Sequence, residues 1–270
     1  MNDVNKDAIE LVLCDMDGTL LMPDHTLSPR NIKAVKSLQA AGIYFTLASG
    51  RPPRAMREII RQLDIKLPVA GFNGGLLVSP QGEYLQSHNV HPDAVRITLN
   101  FLAEFKVEVW LFVDDQWLLR DPHGEMVAHE QQGLGYAPQV VESFEPYLHQ
   151  VHKIVATCSD APLLMDLDQR LQPLLNGLAV ASRSQARYLD ITALEANKGN
   201  ALVTLAKFLD VPLSRTAAIG DGGNDPAMFH RAGLSIAMGQ APEEVRAQAQ
   251  VVTGTNLEDG VAQAIDRFIL

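Results

Sequence analysis

Asp15 and Asp17, two apart in the segment Asp15-Met16-Asp17-Gly18-Thr19, are spaced to do chemistry together. The apolar run Ile9 to Cys14 before them reads as a buried β-strand. Side chains two apart on an extended segment point the same way. Both carboxylates would therefore converge at the C-terminal end of that strand, where open α/β sheets hold their ligands. Gly18 supplies a turn that the Thr19 hydroxyl can brace. One carboxylate as nucleophile and a second as acid/base is a workable pair for phosphoryl transfer through an aspartyl-phosphate. Calcium loops open in the same way but close on Glu at their twelfth position, which here is Thr26.

Three further segments could complete such a site. Ser49-Gly50-Arg51 follows a second predicted buried strand, Ile43 to Ala48. A hydroxyl and a glycine amide at the mouth of a helix make a phosphate cradle, although Ser-Gly before a helix is also an ordinary turn. Asn197-Lys198-Gly199 precedes a predicted helix running to Leu209. A lysine there can donate to phosphate oxygens and offset the carboxylates, whereas most lysines are simply solvated. Gly220-Asp221-Gly222-Gly223-Asn224-Asp225 directly follows the predicted strand Thr216 to Ile219. Hard oxygen ligands of this kind suit Mg²⁺. Asp225, just before Pro226, also reads as the N-cap of the next helix. The glycines here miss the Gly-x-Gly-x-x-Gly spacing of a dinucleotide fingerprint.

The elements that must position these groups alternate. The first eighty residues read strand, helix (Ser28-Pro29 to about Ala41), strand, helix, then short strands at Val69 to Phe72 and Leu76 to Ser79 around Asn73-Gly74-Gly75. This predicts an α/β, Rossmann-like parallel sheet covered by helices on both faces. From residue 84 to residue 187 the pattern loses this regularity and predicts an inserted α+β domain, flanked by core segments 1–83 and 188–270. Trp110 and Trp117 fall in a predicted hairpin of the insert, as hairpin core or, with Arg120 and Arg183, as pocket lining. The spacing of His88 with His91, and of His123 with His129, does not match zinc ligation.

Composition limits the function further. Of 270 residues 47 % are hydrophobic and 20 % charged, as in a soluble globular protein long enough for two domains. The net charge of −10, with the basic residues scattered, argues against nucleic acid but not against a phosphorylated small molecule. Cys14 and Cys158 lie far apart in apolar stretches and predict free thiols, which suit a reducing cytoplasm. The polar start Met1–Asp7 has no signal-peptide character, no membrane span is visible, and nothing marks an obligate protein partner.

Taken together, the motifs make the chain resemble the haloacid dehalogenase superfamily, and within it the Cof-type phosphatases, over nearly its whole length. The segments that carry the resemblance are Asp15–Thr19, Ser49-Gly50-Arg51-Pro52, Asn73-Gly74, Asn197-Lys198-Gly199, Gly220–Asp225 and Asn256-Leu257-Glu258-Asp259-Gly260-Val261. The resemblance implies Asp15 as nucleophile and Asp17 as general acid/base. It implies Mg²⁺ on Asp15, the Asp17 carbonyl and Asp221, and phosphate held by the Met16 amide, Ser49, Gly50, Lys198 and Asn224. Asp225 would orient the metal or Lys198, and the insert would be an α/β cap that helps select the substrate. Hydrolysis of small phosphorylated metabolites, sugar phosphates foremost, is the implied activity. A phosphomutase and a non-catalytic phosphometabolite sensor are the alternatives. The chain departs from many relatives at Gln240, where they carry Asn.

Overall fold

The computed structural model describes residues 8–270, apart from the side chains of residues 184 and 185. The expectation for Met1–Asp7 lies outside the described residues. The buried run Leu11–Cys14 forms β1, and α1 (Pro29–Ala40) begins where the Ser28 hydroxyl accepts the Asn31 amide. Next come β2 (Tyr44–Leu47), α2 (Pro53–Gln62), and β3 (Val69–Gly71) and β4 (Leu76–Val78) about a tight turn. Then follow β5 (Tyr84–Ser87), α3 (Pro92–Leu102), the hairpin of β6 (Glu108–Val113) and β7 (Gln116–Leu119), and α4 (Val127–Leu134). The strands β8 (Gln139–Val140) and β9 (Val151–Thr157) lead through α5 (Ala161–Leu174) to β10 (Val180–Gln185) and β11 (Tyr188–Thr192). The last stretch holds α6 (Lys198–Phe208), β12 (Thr216–Gly220), α7 (Pro226–Phe229) and β13 (Leu234–Ala237). It ends with α8 (Glu243–Arg246), β14 (Val251–Val252) and α9 (Gly260–Ala264).

Five of these strands build a parallel sheet in the order β14-β13-β12-β1-β2. Alternate residues of its strands serve opposite faces. Val12, Cys14 and Ile219 pack with Val35 and Leu38 of α1 and Val261 of α9, whereas Leu11, Leu13 and Ala218 pack with Leu202 and Leu205 of α6. Helices therefore cover both faces, and each strand can be apolar throughout. The register aligns Cys14 with Leu47 and Ile219, so the chain leaves all three strands at the same edge. Asp15, Ser49 and Asp221 each lie one or two residues beyond those aligned positions.

A second sheet runs β10-β11-β9-β6-β7-β8 and is antiparallel except for the β7–β8 pair. Its Leu111, Ile154, Ala156, Leu189 and Ile191 pack with Val95 and Leu102 of α3 and with Leu164, Leu167 and Leu171 of α5. Trp110 and Trp117 are buried edge to face at 5.2 Å, as the core of their hairpin.

The described residues form two compact units, one of residues 8–50, Met56–Leu85 and Asn197–Leu270, the other of Arg51–Ala55 and Gln86–Ala196. One expectation is corrected here. Tyr188–Thr192 does not resume the core but pairs with β9 and β10 in the second sheet. A strand buried on both faces reads alike in either sheet, and only its pairing partners distinguish the two. His91 is structural, its Nδ1 accepting the Asp93 amide at the start of α3. Both cysteines are free, Cys14 buried and Cys158 half-buried. Among the described residues no helix is long and apolar enough to cross a membrane.

Candidate active site

The site begins where β1 ends. Asp15 is buried, its amide donating to the Ile219 carbonyl of β12 at 2.9 Å. Gly18 then turns the chain with a φ of +80°, and a Cβ there would collide with the Asp221 carboxylate. The position thus needs glycine both for its backbone and for this close approach. Thr19 does not brace its own turn. Its hydroxyl donates to Asp221 Oδ1 at 2.8 Å, joining the first motif to the last.

Lys198 opens α6 directly after its N-cap, Asn197. Its side chain is fully buried, and Nζ donates to Asp15 Oδ1 at 2.5 Å and to Asp225 Oδ1 at 2.6 Å. The other Asp225 oxygen accepts the Asp221 and Gly222 amides, both at 2.8 Å. The N-cap reading of Asp225 is therefore corrected, because its side chain makes no bond to α7. Both oxygens are committed to the lysine and to the loop that carries Asp221.

Three carboxylates around one ammonium leave an excess of negative charge in a dry place. Burial pushes the Asp15 carboxyl well above the usual carboxylate range, opposed by Lys198 and reinforced by Asp225 and Asp221. Asp221 is raised as well, first by burial and then by Asp225, against the Thr19 hydroxyl. Burial pulls the Lys198 pKa down, but Asp15 and Asp225 outweigh it and raise it above the ordinary lysine range. Cys14 beneath is likewise raised by burial and the neighbouring carboxylates, which leaves an inert thiol.

Asp15, Asp221 and Asp225 each present an oxygen within 4.8 Å of the others, a donor set that could hold a cation. Asp225 already accepts three hydrogen bonds, so Asp15 and Asp221 are the members with more capacity to spare. Hard oxygen donors, strained by mutual repulsion, fit a small divalent ion.

Ser49 is buried at the end of β2, and Asn224 lies on the β12–α7 loop. Both are tied to Asn73, which the sequence marked as a turn residue and through its family motif but not as a member of the site. Asp17 is more exposed than Asp15, and its carboxylate faces His25 Nδ1 at 3.3 Å. Gln240 donates to the Gly18 carbonyl at 2.5 Å and accepts the Asn256 amide at 3.1 Å, thus linking the first loop to the tail motif. Neither His25 nor Gln240 carries a local signal for these partners.

The fold and this cluster define a Rossmann-like α/β protein with clustered carboxylates at the C-terminal edge of its parallel sheet. A family model described as haloacid dehalogenase-like hydrolase matches residues 12–265. The chain belongs to the haloacid dehalogenase superfamily, in its Cof-type phosphatase branch, and is an enzyme of the phosphoric monoester hydrolase class. It is 30 % identical to a putative phosphatase of Haemophilus influenzae, covering 94 % of this chain and 96 % of that one. It is 31 % identical to the HMP-PP phosphatase of Enterobacter sp. strain 638, covering 88 % and 87 %. Among solved structures it is similar to a haloacid dehalogenase-like hydrolase from Bacteroides thetaiotaomicron, with a TM-score of 0.87 and 26 % identity, covering 96 % and 99 %.

Proposed function

We propose that the protein is a Mg²⁺-dependent phosphatase of small phosphorylated metabolites that works through an aspartyl-phosphate on Asp15, with sugar phosphates the first class to test. The observation that supports this most is the buried Asp15 carboxylate, held by Lys198 in a cluster with surplus negative charge. Relatives matched over 94 % and 88 % of this chain bear phosphatase names, the second an HMP-PP phosphatase.

In this reading Asp15 attacks phosphorus, forming the Asp–O–P bond as the ester P–O bond breaks. Lys198 offsets the repulsion between carboxylate and phosphate and is kept charged by its two carboxylate partners. Asp17 protonates the departing alkoxide. It then takes the proton of the water that cleaves the aspartyl-phosphate, which regenerates Asp15 and releases phosphate. The Met16 and Gly50 amides, the Ser49 hydroxyl and the Asn224 amide bind the phosphoryl oxygens. Asp225 keeps Lys198 and the Asp221 loop in register. Mg²⁺ held by Asp15, the Asp17 carbonyl and Asp221 would supply Lewis-acid stabilisation of the phosphoryl charge.

Phosphate release from a panel of phosphorylated metabolites, with Mg²⁺ and with chelator, tests the proposal. Mg²⁺-dependent release in proportion to substrate lost is expected. Isomerised substrate without free phosphate would make the protein a mutase, and saturable binding without turnover would make it a sensor.

A further inference from the structure

We infer that the turn Phe72-Asn73-Gly74 is the device that aligns the phosphate-binding segments, with Asn73 as its positioning residue. The inference rests on the phosphatase reading for its ligand. The backbone itself points to a special role. Phe72 and Asn73 have φ of 50° and 58°, and Gly74 follows at +97°, so three successive residues are left-handed. Asn tolerates that region, but a bulky aromatic does so only where its surroundings over-determine it. The Phe72 side chain is completely buried, which anchors the turn to the end of β3.

Held in this shape, the turn meets three separate segments of the proposed phosphate site. The Asn73 amide donates to the Ser49 carbonyl at 2.8 Å, next to the Ser49-Gly50 cradle. Asn73 Oδ1 accepts from Asn224 Nδ2 at 2.8 Å, across 151 residues of sequence. A Cβ on Gly74 would lie 2.7 Å from the Asn197 carbonyl, so the turn also seats the residue just before Lys198.

The Asn73–Asn224 bond has a direct chemical consequence. An exposed Asn amide rotates freely between two orientations. With Nδ2 committed to Asn73, the amide has one orientation, and its second N–H becomes a fixed donor for an anion. Asn73 thus acts through Asn224 and Ser49 rather than on phosphate itself.

The test is Asn73→Gly, which keeps the left-handed backbone and removes only the side chain. Hydrolysis of p-nitrophenyl phosphate would be measured with inorganic phosphate as competing ligand. The phosphate inhibition constant and KM should rise roughly three- to tenfold, the range of one neutral hydrogen bond. The fall in kcat should be smaller and the melting temperature unchanged. In an Asn224→Ala background the same change should have no further effect on phosphate binding. An unchanged inhibition constant, or losses that simply add in the double variant, would overturn the inference. Should the wild type hydrolyse no ester, calorimetric titration with inorganic phosphate applies the same comparison without turnover. Phosphate binding weakened by Asn73→Gly would then sustain the turn's role while the phosphatase reading fails. Wild-type protein that binds no phosphate overturns both.

Discussion

Two buried lysines, one in each unit, pair with carboxylates at different distances. Lys198 of the parallel-sheet unit donates to two carboxylates at 2.5 and 2.6 Å. The second of these, Asp225, is itself locked by two backbone amides. Lys153 of the other unit has its carboxylate partner, Asp190, at 3.5 Å and lies 5.1 Å over the Phe112 ring. Around it, Asp190 Oδ1 and Trp117 Nε1 are buried without hydrogen-bond partners among the described residues. The first arrangement is fixed by short charge-assisted bonds, as suits a place where charge develops during a reaction. The second combines a longer ion pair with aromatic packing and sits beside polar atoms whose hydrogen-bonding capacity is unused among the described residues.

The contrast can be broken most directly at the proposed nucleophile. Asp15→Asn should lower phosphate release by at least about 10⁴-fold, as expected for a group on which a catalytic set depends. Near-normal turnover, with deamidation back to Asp excluded by mass spectrometry, would remove the covalent mechanism and any special status for this cluster.

The lysines offer the next largest effect. Lys198→Met strands Asp15 and Asp225 as buried charges and should cost about 3–5 kcal/mol in urea denaturation. Lys153→Met removes the longer pair with Asp190 and should cost less, about 1–2 kcal/mol. Equal costs would erase the distinction drawn between the units.

Ser49→Ala should leave measurable activity, reduced on the order of 10²–10³-fold if its hydroxyl donates to the transferring group. A loss under threefold would move the phosphate cradle elsewhere.

The smallest effect concerns His152, buried beside Asp114 in the antiparallel unit. Burial holds its imidazole below the ordinary range, against the opposing influence of Asp114. The unfolded chain therefore takes up this proton first, near about pH 6.5. Stability is greatest above that value and falls as pH drops through it toward the lower native pKa. His152→Gln should flatten this segment of the stability–pH curve, and identical slopes in both proteins would refute the assignment.

Much of the candidate site was legible because its parts are local. Each of the segments at Asp15, Ser49, Lys198 and Asp221 carries its own strand, turn or helix-start signal within a few residues. The boundary of the insert was less legible, since Tyr188–Thr192 has the same buried apolar character in either sheet. Asp225 shows a related difficulty. Its place before Pro226 satisfies every local rule for an N-cap, yet in the fold Lys198 and the amides of Asp221 and Gly222 claim its oxygens.

By itself, the sequence determined the strand–helix alternation, the parallel core and the appearance of reactive side chains at strand ends. These follow from periodicity and turn chemistry over short windows. The tertiary structure alone decided which of those side chains touch. Thr19 reaches Asp221 across 202 residues, Lys198 reaches Asp15 across 183, and Asn224 reaches Asn73 across 151. Such contacts are set by strand order and register, which bring distant loops to one edge of the sheet. No local pattern encodes that order, because it is selected by the packing of the whole core.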